Sequence, residues 1–292
     1  MTVRHGVLAA LAVVATLAVG CADDVEPLPP VEDAAVTTEP AYDASLEPAA
    51  AVLALVPEVA RTLRVTDFSQ VRDELGLGAV GTTGDGFWAR AEAERPMVTE
   101  GVLRGSDTAL VEYGFGQADV VWEAVYDGGW VLRLRDGVDL ARVQEAVTAG
   151  VGPLKGASVD AADHLLSVGA ASDPEQSWAA DELLREEAVD LPANATYVER
   201  GCRETDGAGD ERNPLVAWSV QFEGTLATAR LGAGRKDLFE RMRFAQEDPG
   251  FAAAYAGGVA DPLTGRIGFV MSDPARAAQL ALTGALPFTT CT

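Results

Sequence analysis

Trp122-Glu-Ala-Val-Tyr126-Asp127-Gly128 and Trp218-Ser-Val-Gln-Phe222-Glu223-Gly224 read alike: a tryptophan, three residues, an aromatic, an acid and a glycine. Both stretches alternate with a period of two. Val120, Trp122, Ala124 and Tyr126 are therefore expected on one face of a strand, as are Val216, Trp218, Val220 and Phe222. At the acid and glycine the chain turns into a second strand, Trp130 to Leu134 in the first copy and Leu226 to Leu231 in the second.

The likeness continues downstream. An amphipathic helix follows each hairpin, first from Asp139 through Leu140, Val143 and Val147 to a stop at Gly150, later through Leu238, Phe239, Met242 and Ala245. A third strand comes next, His164 to Val168 and then Ile267 to Met271. Ser172-Asp173-Pro174 matches Ser272-Asp273-Pro274, and an aspartate before proline starts a helix. Strand-strand-helix-strand-helix thus occurs twice, the pattern of an internal duplication. Ahead of the first unit lie a strand at Leu63 to Val65, a helix opened by Asp67 and Gln70 and closed by Gly76, and a helical piece at Phe87 to Glu94. With the strand and its helix added, the first unit has the order of a ferredoxin-like sandwich carrying a long insertion. The expected class is α+β, with two related ferredoxin-like sandwiches at 51–190 and 191–292. That superfold hosts many unrelated tasks, so function has to be read elsewhere.

Residues 1–20 have the parts of an export signal: a basic start with Arg4, an apolar run from Gly6 to Val19 and a small-residue exit. The run is shorter than the ~20 residues a permanent membrane span needs. Its exit, Ala18-Val19-Gly20-Cys21, resembles the lipobox of bacterial lipoproteins, although Leu17 stands one place before the usual leucine. The resemblance implies that Cys21 receives a diacylglyceryl group, becomes the new N-terminus, and holds the protein on the outer face of the cell membrane. Arginines greatly outnumber Lys155 and Lys236, which is similar to chains from actinobacteria. The segment 21–50 is rich in acids and prolines and, up to Ala50, has no Lys or Arg, so it reads as a tether with the fold starting near Ala51.

The formal charge is −23 over 292 residues. A surface this acidic repels nucleic acid and anionic headgroups, leaving the lipid as the membrane contact and an envelope protein or polymer as the expected partner. With Cys21 used by the anchor, Cys202 and Cys291 remain, and in an oxidising exterior that pair reads as a disulfide.

Signals for chemistry are sparse. His164 is the one histidine outside the signal, which excludes a multi-histidine zinc site, and no nucleophile-elbow motif accompanies it. Asp181-Glu182 and Glu186-Glu187 resemble paired glycosidase acids, yet they sit on an amphipathic helix where a solvated face is expected. Asp206 to Asn213 is oxygen-rich without the spacing of a calcium loop, and the glycines from Gly76 to Gly86 lack the Lys-Ser/Thr of a phosphate loop. Trp122 and Trp218 are read as core rather than as stacking platforms. No cofactor, metal or catalytic residue is assigned. The reading is a non-enzymatic interaction or sensor module, with a hydrolase acting through carboxylates or His164 as the alternative and a solute-binding lipoprotein as a weaker one.

Overall fold

The structure, a computed structural model, describes residues 41–81, 86–188, 192–204 and 213–291. Cys21, the signal, the first part of the tether and Asp206 to Arg212 lie outside the described residues. The first half runs α1 (Pro48–Ala51), β1 (Thr62–Asp67), α2 (Phe68–Glu74), α3 (Phe87–Glu94), α4 (Asp107–Leu110), β2 (Val120–Tyr126), β3 (Gly129–Leu134), α5 (Leu140–Ala149), β4 (Ser158–Asp160), β5 (Leu165–Val168) and α6 (Glu182–Glu187). The second runs β6 (Ala195–Arg200), β7 (Arg203–Glu204), β8 (Ala217–Glu223), β9 (Leu226–Arg230), α7 (Leu238–Glu247), α8 (Pro249–Ala252), β10 (Tyr255–Asp261), β11 (Arg266–Met271), α9 (Pro274–Leu282) and β12 (Thr290–Cys291).

Local signals set the helix boundaries. Asp67 accepts the Gln70 N–H at 3.0 Å to open α2, and Asp139 accepts that of Ala141 at 3.0 Å to open α5. Asp273 does the same for α9. Its counterpart Asp173 caps only the short turn Pro174–Gln176, so the helix expected there is broken before α6 begins.

The α+β class holds, but the arrangement departs from two ferredoxin-like sandwiches. Ten strands join in one antiparallel sheet of order β10-β11-β9-β8-β6-β1-β2-β3-β5-β4. A ferredoxin-like sheet sets its first and third strands side by side and parallel, whereas β1 is antiparallel to β2 on one side and to β6 on the other. An open strand edge carries unpaired N–H and C=O groups, and pairing the leading strands of the two halves satisfies both edges at once. Outward from that seam each half has the same order, and each predicted third strand is the second arm of a hairpin. The first arms, β4 and β10, carry no clean alternation: β4 has three residues, and β10 is bulged between Ala256 and Val259.

Trp122 and Trp218 lie on corresponding strands but on opposite faces of the sheet. Register shows this directly. Leu63 pairs with Val198 and Val198 with Ser219, placing Ser219, not Trp218, on the face shared by Leu63, Val65 and Trp122. The cause is the hairpin. Tyr126 pairs with Gly129 around Asp127-Gly128, whereas Glu223 pairs with Leu226 around Gly224-Thr225, so relative to the sequence match the second turn comes one residue later. Both glycines have positive φ, Gly128 at +91° and Gly224 at +54°, but one is second in its two-residue turn and the other first. A one-residue slip sends each side chain to the other face. Val120 also leaves the Trp122 face, through a bulge between Val120 and Trp122.

The first half is buried on both faces. Trp122, Leu63 and Val65 pack with Val52, Leu53, Trp178 and Leu184 on one side. Leu132, Leu134 and Leu166 pack beneath Phe68, Val71, Val143 and Leu154 on the other. Packing begins before Ala51, since Ala49 is buried and Tyr42 lies against the first of these clusters. The second half has one such core, where Trp218, stacked on Tyr197 at 5.2 Å, packs with Leu238, Phe251, Phe269 and Phe288. Cys202 and Cys291 are at disulfide distance, Cα–Cα 5.8 Å, beside the parallel pair β7 and β12.

Candidate functional site

The cross-strand partners Thr66 and Glu123 are fully buried polar residues in the middle of the sheet. They hold down the loop after α3. Thr66 Oγ1 accepts the N–H groups of Val98 and Thr99 at 3.2 and 3.1 Å, and the Glu123 carboxylate accepts those of Gly101 and Val102 at 3.0 and 2.7 Å. Gln117 Oε1 accepts from Leu103 at 2.7 Å. Buried backbone groups need partners, and here strand side chains supply them in place of a ladder. Burial pushes the Glu123 carboxyl up, with the N–H groups of Val102 and Gly101 opposing it.

The loop so fixed forms one wall of a cavity of about 710 Å³, whose other wall is α9. Glu92, Arg95, Thr99, Glu100 and Arg104 face Gln279 across it. Its cations are already engaged: Arg104 contacts Glu92 and lies 4.5 Å over the Trp88 ring, and Arg95 donates to the Glu74 carbonyl at 3.0 Å. Thr99 is buried, its hydroxyl directed at the Glu123 carboxylate. Met97, Ala275 and Leu282 make part of the lining apolar, its polar part is of mixed sign, and it brings no nucleophile to a base. A second cavity, about 390 Å³, is lined by Gly81, Phe115, Asp107, Asp119 and Arg135. There the acids are committed, Asp107 to the Gln117 N–H at 2.6 Å and Asp119 to Arg135 at 2.6 Å. Gly76 and Gly81 sit in turns with positive φ, and 82–85 lie outside the described residues.

His164 lines neither cavity. It closes the turn between β4 and β5 with φ +54°, and its carbonyl accepts the Leu134 N–H at 3.0 Å. Gly265 does the same between β10 and β11, with φ +68° and a 2.9 Å bond from Leu231. An aspartate opens each turn, Asp160 accepting from Ala162 at 2.9 Å and Asp261 from Leu263 at 3.0 Å. His164 thus occupies the place of a turn glycine, a left-handed position that non-glycine residues seldom take.

Three of the four acids flagged in sequence behave as a solvated helix does. Asp181 caps α6 and pairs with Arg200 at 3.2 Å, while Glu182 and Glu186 are exposed. Glu187 differs: it is buried, the Ser219 hydroxyl is 3.4 Å from its Oε2, and burial pushes its carboxyl up to about 7 against the pull of Arg230. Periodicity hides this, because the last turn of α6 rolls onto β8. A carboxyl that holds its proton more tightly when folded stabilises most below its unfolded value, near 4.5, and that contribution is lost as pH rises through about 7. Chemical denaturation at pH 5 and pH 7.5 is expected to show the chain weaker at the higher pH by about 2 to 3 kcal/mol from this group. Glu187→Gln is expected to remove that difference; an unchanged pH dependence in the variant would show that Glu187 ionises freely.

Trp122, Trp178 and Trp218 are core residues, and the Trp178 Nε1 donates to the Ala60 carbonyl at 3.2 Å. Asn213, the described end of the oxygen-rich loop, spends its carbonyl on Arg235 and Arg241. Among the described residues no group of three His, Cys, Asp or Glu gathers as a metal site, and no helix is long and apolar enough to cross a membrane. The fold and cavities define an α+β protein built on one ten-stranded antiparallel sheet. No family model, curated protein or solved structure matches the chain.

Proposed function

We propose that the protein is a lipoprotein of the cell envelope, anchored through Cys21 on the outer face of the membrane, whose folded part is a non-enzymatic interaction module. The observation that carries the module reading is a face of the outer strands β9, β11 and β10 that is bare among the described residues, beyond the part that α6 covers over β8. Leu226, Val259 and Val270 stand 51 %, 76 % and 48 % exposed there, while α7, α8 and α9 pack on the opposite side. Solvent-facing apolar residues on adjacent strands mark a surface meant to be covered. The cysteine pair supports an oxidising exterior. A solute-binding reading is favoured by the 710 Å³ cavity alone. We further propose that the halves descend from a duplicated unit of strand, hairpin, helix and hairpin, supported by their mirrored strand order.

Cell fractionation with Cys21→Ser tests the anchor: the variant is expected in the medium, and its retention in the membrane fraction would end the lipoprotein reading. Cross-linking in intact envelopes tests the module in the same cells. Asp at Leu226 and Val259 is expected to leave the thermal transition in place and abolish the cross-link that the wild-type chain forms. A cross-link that persists in this double variant would sink the assignment of the bare face.

A further inference from the structure

Arg230 on β9 and Arg266 on β11 are direct cross-strand partners. Like charges set opposite one another destabilise an antiparallel pair, so their adjacency is a local rule broken. Both are also short of partners. Arg230 is only 5 % exposed, yet its Nε and Nη2 donate to nothing, and Arg266 Nε is likewise buried and unpartnered. An arginine cannot discard its proton to escape the cost, and buried donors are seldom left unmade.

The surroundings show that this is not a shortage of acids in a chain of net charge −23. Asp261, the cross-strand neighbour of Arg266, spends its carboxylate on the Leu263 N–H at 3.0 Å and the Thr264 hydroxyl at 2.7 Å. Glu187 approaches from α6, and Ser219, the cross-strand partner of Arg230, donates its hydroxyl to the Glu187 carbonyl at 2.7 Å and lies 3.4 Å from its carboxylate. Three unpartnered guanidinium nitrogens, a hydroxyl and a carboxyl thus gather on the side of the sheet that α7, α8 and α9 do not cover.

We propose that Arg230 and Arg266 form a binding site for a phosphate group, with Ser219 and Glu187 at its rim. Two planar forks of fixed charge match a tetrahedral dianion, whereas one carboxylate neutralises only one of them. Burial raises the Glu187 carboxyl to about 7, so a neutral, proton-donating form is available beside the anion without a competing negative charge. The site stands independently of the membrane anchor.

Titration of the folded chain at constant ionic strength tests it, with inorganic phosphate, glycerol phosphate, acetate and chloride as separate arms. The readouts are the thermal midpoint and the arginine side-chain N–H resonances. Phosphate is expected to stabilise saturably and to shift arginine N–H signals, and a tighter response to glycerol phosphate would point to an esterified source such as a headgroup. Arg266→Gln, at the less buried of the two positions, is expected to weaken binding by about tenfold or more, as loss of a charge-assisted pair does. Arg142→Gln, on α5, is expected to change nothing. Equal stabilisation by chloride or acetate, no saturable response to either phosphate, or full affinity in Arg266→Gln would each overturn the proposal.

Discussion

Replacing Cys202 and Cys291 together by alanine is expected to lower stability by about 4 to 5 kcal/mol, the value chain entropy assigns to a closed loop of this size. The bond joins positions 89 residues apart. It ties the two-residue strand β12 to β7, a pairing too short to persist by its own hydrogen bonds. In a domain of this length the loss corresponds to a drop of roughly 10 to 15 °C in the thermal midpoint. Scans of the oxidised chain, the reduced chain and the double variant should show reduction and substitution acting alike. A midpoint unmoved by either would mean that neighbouring contacts already close the loop.

Those contacts centre on Arg241, and its truncation is the second large effect. Arg241 is 0 % exposed, and its guanidinium donates to Asp237 Oδ2 at 2.7 Å, to the carbonyls of Phe288 and Thr290 at 2.7 and 2.8 Å, and to that of Asn213 at 2.6 Å. One side chain of α7 thereby holds the C-terminal segment and the start of the β8 arm. Arg241→Ala leaves Asp237 buried and three carbonyls deprived of their strongest donor, a loss of about 3 to 5 kcal/mol for a buried pair broken from one side. Lysine is expected to recover little, because an ammonium cannot spread over four acceptors in a plane. Denaturant titration measures both variants, and a cost below about 1 kcal/mol would show that water replaces the guanidinium. Burial alone would raise the Asp237 carboxyl, but hydrogen bonds from Arg235 and Arg241 hold it down at about 2. Its contribution is therefore present above its unfolded value near 3.8 and is lost as pH falls through about 2, so Arg241→Ala should also flatten the acid limb. A double-mutant cycle with the cysteine pair is expected to be non-additive, since both ties restrain the same segment.

The amino-acid sequence by itself determined what depends on near neighbours. Asp67, Asp139 and Asp273 mark helix starts because an aspartate satisfies amide groups two or three residues ahead of it. Alternation located β2 and β8, the turns at their glycines located β3 and β9, and the pairing of Cys202 with Cys291 followed from counting. Tertiary structure alone decided which strand edges meet, and with that the single sheet in place of two sandwiches, because β1 and β6 are joined by no local signal. It also decided that Trp122 and Trp218 point to opposite sides, since a hairpin shifted by one residue reverses every face while hardly altering the pattern of residues. The pairing of Arg230 with Arg266 and the burial of Glu187 against Ser219 arise the same way, from register and from how α6 settles on β8. Those contacts join residues tens of positions apart, and no spacing rule along the chain reaches that far.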